Sequence, residues 1–321
     1  ELDGSGSEDC LLLNVFAPAS AIGQPSAKLP VLVWVHGGAY QSGGAKLYDA
    51  TNLVEYLDGK ATVVSINYRL HIFGFLGSPS LRSSVQTTGN WGILDQRRAF
   101  DWIRTNAAHF GGDPKSLTVF GESAGAGSIS VHLAMPGSAH SFDRAILESG
   151  SFASWSARPL SHAEGIHRQV LQVAGCMDSK CLATRSVANL TAVVNTLPLC
   201  CNNVTGNPYG CPWAPTIDHV ELFGHPYTLA RNGNLSGIPI LHGTNLDEGA
   251  SFCQVGTTCD EKTLVHLWIR DYQNVMGPRP DTTLYNLYLK SNVTYPNAPK
   301  YGSRPWWAAQ RSLTDQTFDC P

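Results

Sequence analysis

The chain has 321 residues, of which 43% are apolar and only 15% charged, with a net charge of −3. A chain of this length buries roughly three quarters of the surface it exposes when unfolded, so a large core is available. That balance excludes a charged disordered chain, and the lack of any basic run interleaved with aromatic residues excludes a nucleic-acid partner.

The first strong element is Val31-Leu32-Val33-Trp34-Val35, a continuous β-branched and apolar run that ends at His36-Gly37-Gly38 and reads as a strand buried on both faces of a parallel sheet. Tyr48 to Leu57 has helix length, and Ala61 to Ile66 repeats the strand pattern. The clearest helix runs from about Asn90 to Phe110, with Ile93, Phe100, Ile103, Ala107 and Phe110 on one face and Gly111-Gly112-Asp113-Pro114 as its stop. A strand at Leu117 to Phe120, a turn at Gly121 to Gly125, a small-residue helix to Met135 and a strand near Ala145 to Leu147 follow. Strand and helix in alternation predict an α/β fold with a mostly parallel sheet and helices on both faces.

From about 151 to 237 the pattern loosens into an excursion, with a helix at Ser161 to Ala174 and a Cys-, Asn- and Pro-rich stretch at Leu197 to Pro215. The sheet pattern returns at Ile238 to Leu241, and helical segments follow near Lys262 to Met276, Asp281 to Lys290 and Trp306 to Phe318. We expect one domain over 1–321. The apolar runs have strand length, against the roughly twenty residues of a bilayer helix, so no transmembrane segment is expected. Glu1 to Cys10 has neither the cationic nor the apolar part of a signal peptide, and the chain reads as a piece of a longer protein, incomplete at both ends.

Nine cysteines suit an oxidising compartment, and the close pairs Cys176 with Cys181 and Cys253 with Cys259 are disulfide candidates, as is Cys211 with Cys200 or Cys201. No Cys-x2-Cys pair recurs, which argues against zinc, and no metal or organic cofactor is expected. Asn189, Asn203, Asn234 and Asn292 each open an Asn-x-Ser/Thr sequon and are glycosylation candidates. Together these features point to secretion.

The sharpest chemical feature is Gly121-Glu122-Ser123-Ala124-Gly125, between a predicted strand and a predicted helix. A strand that turns within a few residues lifts a serine hydroxyl above the sheet, and the glycines permit both the backbone strain and the close helix approach. The helix that starts there aims its free N–H groups, Ala124's among them, at the place where negative charge would develop. His36-Gly37-Gly38-Ala39-Tyr40 follows the first buried strand; read alone it is a glycine turn, and beside the serine it adds backbone donors. Glu248, on the loop after Ile238 to Leu241, is either a functional acid or a solvated turn residue beside Asp247.

These motifs resemble the type-B carboxylesterase/lipase family, which includes cholinesterases, fungal lipases and liver-type carboxylesterases. The resemblance rests on Ser7-Glu8-Asp9-Cys10-Leu11 with Leu13-Asn14-Val15, on Phe120 to Gly125, on Asp95-Gln96, Trp102-Ile103 and Phe110 to Pro114, and on Gly243 to Gly249 with Phe252. It implies an α/β-hydrolase fold with Ser123 as nucleophile and Glu248 as the acid that orients the base. The N–H groups of Gly38, Ala39 and Ala124 would form an oxyanion hole, with Ala39 standing where many relatives have glycine. Glu122 is either a buried carboxylate that tunes the site or a structural residue. The family implies a loop at Cys176–Cys181 and an upstream partner for Cys10.

One member is missing. After Glu248 the only histidine is His266, in an apolar helical stretch, and it reads as core; His36 and His242 read as structural or supporting. The base is expected on residues outside this chain, either the remainder of the same polypeptide or a second chain. The function read from the sequence is a serine carboxylic-ester hydrolase, an esterase or lipase, acting on a small-molecule or lipid ester through an acyl-enzyme. The alternatives are a non-catalytic adhesion relative and an inactive fragment, and the isolated 321 residues are expected to be inactive.

Overall fold

A computed structural model describes residues 7–82, 87–153, 155–197 and 212–251, together with 307, 308, 311, 314 and 315. In chain order the elements are β1 (Leu13–Phe16), β2 (Leu29–Val35), α1 (Thr51–Tyr56), β3 (Thr62–Ile66), α2 (His71–Phe75), α3 (Trp91–Asn106), β4 (Gly112–Glu122), α4 (Ala124–Ala134) and β5 (Arg144–Glu148). Then come β6 (Arg158–Pro159), α5 (Leu160–Val173), α6 (Ser179–Ala183), α7 (Val187–Thr196), β7 (Thr216–Ile217), α8 (Pro226–Arg231) and β8 (Ile240–Gly243). The described residues up to Leu197 and those of Pro212–Gly243 belong to one compact unit; those from Thr244 onward belong to a second.

Six described strands form a sheet in the order β1-β3-β2-β4-β5-β8. Only β1 is antiparallel. Its four residues, at one edge of the sheet, carry too short a pattern to stand out in the sequence. β3 is buried throughout, as a parallel strand between two neighbours should be. β2 differs from expectation: Val31, Val33 and Val35 are buried, while Leu32 and Trp34 are only half-buried. The valines face the helical layer, and the Trp34 ring packs on the other face between Tyr48 and Phe120, with ring centroids 5.0 and 4.9 Å away.

The predicted long helix is split. α3 stops at Asn106, a 3₁₀ turn carries Ala107–Phe110, and Gly111 ends it at a φ of 73°, the left-handed conformation glycine adopts without steric cost. β4 starts earlier than its apolar run, and its pairing with β2 is irregular between Leu29 and Val31, beside Pro114, which has no N–H to donate. α4 packs against β4 and β5, and all 11 of its residues are buried. A helix buried all round cannot be amphipathic, and its Ala, Gly and Ser residues let it lie close to β4 and β5.

The 151–237 stretch is tied to α3 by polar contacts. Arg97 forms a two-pronged pair with Glu221 at 2.9 and 2.8 Å, and Asn90 bonds both the N–H and the carbonyl of Thr216. Asp218 gathers the N–H groups of Val220, Glu221 and Leu222 and the Thr87 hydroxyl.

A test of this packing follows from Gly125, where an added Cβ would overlap the Val35 carbonyl oxygen, whereas one at Gly237 meets nothing within 4 Å. Gly125→Ala should lower the unfolding free energy by about 1–3 kcal/mol and Gly237→Ala by less than about 0.5 kcal/mol, read from denaturant midpoints.

Candidate active site

Ser123 stands where β4 must become α4. Its backbone takes φ 55° and ψ −122°, a region that costs a non-glycine residue about 1–3 kcal/mol. Two hydrogen bonds hold it there: its own N–H donates to the Glu148 carbonyl at 2.9 Å, and its carbonyl accepts from the Gly127 N–H at 2.9 Å. Three glycines surround the bend. A Cβ on Gly121 would lie 2.6 Å from the Val35 carbonyl oxygen, one on Gly125 would overlap that same oxygen, and one on Gly150 would lie 2.5 Å from the Ser123 carbonyl. Ser123 itself stays partly open to solvent. The elbow predicted from sequence is present.

The loop after β2 is built against that elbow. A Cβ on Gly37 would come within 3.1 Å of the Ser123 Cβ and 2.7 Å of the Glu122 carbonyl, so only bare main chain fits beside the serine. The loop then runs through positive φ at Gly38 (110°), Ala39 (55°) and Tyr40 (60°). The Gly38 carbonyl accepts from Gln41 and Ser42 N–H at 2.9 and 3.0 Å, which closes the turn. At 55°, Ala39 holds a conformation that glycine takes at no steric cost. His36 is buried; its Nδ1–H donates to the Gly37 carbonyl at 2.8 Å, its ring stacks on Tyr68 at 4.4 Å, and the Tyr68 hydroxyl donates to its carbonyl at 2.7 Å. It anchors the loop.

Two carboxylates stand in register at the carboxyl end of the sheet, Glu122 on β4 and Glu148 on β5. Glu122 is exposed, at the last position of its strand. Its charge still reaches Tyr48, whose pKa rises through burial first and the Glu122 carboxylate second. Partial burial raises the Glu148 carboxyl pKa. Glu148, Gly150 and Trp155, whose ring lies 3.1 Å from where a Gly150 Cβ would be, carry no motif in the sequence; strand register brings Glu148 to the elbow.

In the second unit Glu248 opens a 3₁₀ turn to Ser251. Its Oε1 accepts from the Asn245 N–H at 2.7 Å and from Asn245 Nδ2 at 3.1 Å, and the neighbouring Gly249 N–H donates to the Thr314 hydroxyl at 2.8 Å. His242, on β8, has the Ser151 hydroxyl 3.5 Å from Nδ1. Cys176 and Cys181 form a disulfide, and Cys10 is a free, half-buried thiol whose pKa is raised chiefly by burial. The sequons at Asn189, in α7, and Asn234, after α8, are exposed. Cys253, Cys259, Asn203, Asn292 and His266 lie outside the described residues.

Beneath the elbow runs a buried polar chain that no motif announced. The Ser128 hydroxyl donates to the Ala124 carbonyl at 2.8 Å and accepts from Gln96 Nε2 at 3.1 Å. Gln96 Oε1 can only accept, so the His132 Nε2 that lies 3.1 Å from it carries the proton. His132 Nδ1 then accepts from the Ser138 hydroxyl at 2.9 Å. Burial lowers the His132 pKa to about 3, with the Arg97 charge adding to the effect, so the imidazole is neutral.

Comparison with known proteins settles the lineage. The model of the carboxylesterase family matches residues 1–321. The chain belongs to that family. It is 40% identical over 249 residues to the para-nitrobenzyl esterase of Bacillus subtilis (strain 168), a match spanning 77% of this chain and 48% of that protein. It is 37% identical over 260 residues to the cholinesterase of Mus musculus, across 78% of this chain and 41% of the other. Among solved structures, carboxylesterase EST55 of Geobacillus stearothermophilus superposes with a TM-score of 0.81 at 34% identity, covering 99% of this chain and 62% of EST55. The chain thus spans about half the length of these sequence relatives. The fold is the α/β-hydrolase fold of the family, as the sequence implied.

A pH dependence follows from His132. The unfolded chain takes up this proton near 6.5 and the folded core only near 3. Between those values the unfolded state binds more protons, so this contribution is complete above about 6.5 and is lost as pH falls, at up to about 1.4 kcal/mol per pH unit. Denaturant midpoints should therefore drop between about pH 6.5 and 4, and His132→Asn, though less stable overall, should show a shallower fall.

Proposed function

We propose that the protein carrying this chain is a serine carboxylic-ester hydrolase. The observation that carries the reading is the contact of two main-chain features: a solvent-accessible Ser123 at a strained strand-to-helix bend, and the main chain at Gly37 pressed against it with no room for a side chain. In the proposed reaction Ser123 Oγ attacks the ester carbonyl. Its proton passes to a histidine supplied from outside this chain, and the alkoxide departs with that proton. The N–H groups of Gly38, Ala39 and Ala124 receive the charge that develops on the carbonyl oxygen, and water then resolves the acyl-enzyme by the reverse proton path. Glu248, with one carboxylate oxygen held by Asn245, orients the histidine.

The relatives named for esterase activity support this chemistry, and a neutral ester, small or lipid, is the substrate class we assign. We place the protein outside the cell. The Cys176–Cys181 disulfide fits an oxidising compartment, and the exposed sequons at Asn189 and Asn234 offer sites for glycans. Among the described residues no helix is long and apolar enough to cross a membrane.

Diisopropyl fluorophosphate should label the full-length protein at Ser123, identified by peptide mass, and an adhesion relative would take no label. Ser123→Ala should abolish both labelling and hydrolysis of p-nitrophenyl acetate, and Glu248→Gln should lower kcat by about 10⁴-fold. Ala39→Gly should retain activity within about threefold, since only the main chain at this position donates. Hydrolysis that survives Ser123→Ala overturns the reading.

A further inference from the structure

The buried chain beneath the elbow contains one bond that the helix does not need. In α4 the Ser128 N–H already falls opposite the Ala124 carbonyl by the i to i−4 rule, so the Ser128 hydroxyl, 2.8 Å from that carbonyl, is a second donor to it. A serine that bonds back in this way tilts the carbonyl it holds and gives the isolated helix nothing in return. Here that carbonyl belongs to Ala124, the residue next to Ser123.

The same hydroxyl also joins α4 to α3. Gln96 reaches it from α3 at 3.1 Å. Tyr40, from the loop after β2, packs beside the preceding residue of α4: its hydroxyl would lie 2.7 Å from a Cβ on Gly127. Gln96 has no freedom to turn its amide, because Oε1 is engaged by His132 and His132 is fixed in turn by Ser138. Each hydrogen bond along Ser138, His132, Gln96, Ser128 and Ala124 therefore has a set direction. The chain ends at the first turn of α4, whose N–H groups face the reaction, and it touches neither substrate nor nucleophile.

We infer that Ser128 and Gln96 are positioning residues for the hydrolysis proposed above, on which this inference rests: they fix the Ala124 turn of α4 against the Gly38–Tyr40 loop, so that donors from two separate elements converge on one oxyanion. Donors of this kind lose most of their effect when misplaced by about 1 Å.

The test uses the full-length protein with p-nitrophenyl acetate and diisopropyl fluorophosphate. Ser128→Ala and Gln96→Met should each lower kcat by about 10- to 100-fold with KM changed less than about threefold, and should slow labelling of Ser123 in the same proportion. The double variant should be no slower than the slower single one, because both remove the same bond, and Ser128→Thr, which keeps the hydroxyl, should recover most of kcat. If Ser128→Ala does not fold, Gln96→Met alone decides. Folded variants that keep wild-type kcat and labelling rate, or losses in kcat that multiply in the double variant, overturn the inference while the esterase reading stands. A wild-type protein that takes no label at Ser123 overturns the esterase reading itself.

Discussion

The carbonyl oxygen at the end of β2 occupies a space that no side chain could share. Gly121 and Gly125, one at each side of Ser123, both press on the Val35 oxygen, and Gly37, two residues further on, presses back on Glu122 and Ser123. Two chain segments that are eighty-odd positions apart are thereby locked main chain to main chain. This contact sets the position of the elbow, the course of the loop beside it and the seat of α4. A methyl group at any of these three glycines would push the halves of the site apart, which is a steric requirement that no adjustment of polar groups can relieve.

Strain at the site is distributed over several residues. Ser123, Ala39 and Tyr40 all hold positive φ, and each such residue costs about 1–3 kcal/mol in isolation. The surrounding sheet overrides this. Val33 and Val35 are fully buried on β2, β3 is sealed on both faces, and Ser123 is hydrogen-bonded through its N–H to β5 and through its carbonyl to α4. The polar groups enclosed in that core, Gln96, Ser128 and His132, are satisfied by one another, which is the condition under which buried polarity rigidifies a structure.

Much of this was legible in the residues. The alternation of apolar runs with a helical period announced a parallel sheet, Gly111 announced the end of its helix, and the spacing of Gly121, Ser123 and Gly125 announced the bend. What was illegible is what depends on register or on alternate faces. Nothing in Trp34 says that it is half-covered, since a tryptophan suits either a core or a partly open face, and its setting arises from the rings of Tyr48 and Phe120. Glu148 reaches the site only because β5 runs in register with β4. Asp95-Gln96 was visible as a motif, but Gln96 acquires meaning only from His132, thirty-six positions away, and the mild sequence surroundings of that histidine gave no sign of its neutral, fixed state. β1 was too short to leave a pattern.

The clasp at Asn245 has a bearing on how such a molecule tolerates change. The aim of the Glu248 carboxylate is set by an amide and a side chain three positions before it. Its orientation is thus a property of a single short turn, portable with that turn, so that changes elsewhere in the chain leave the direction of this carboxylate to be set locally.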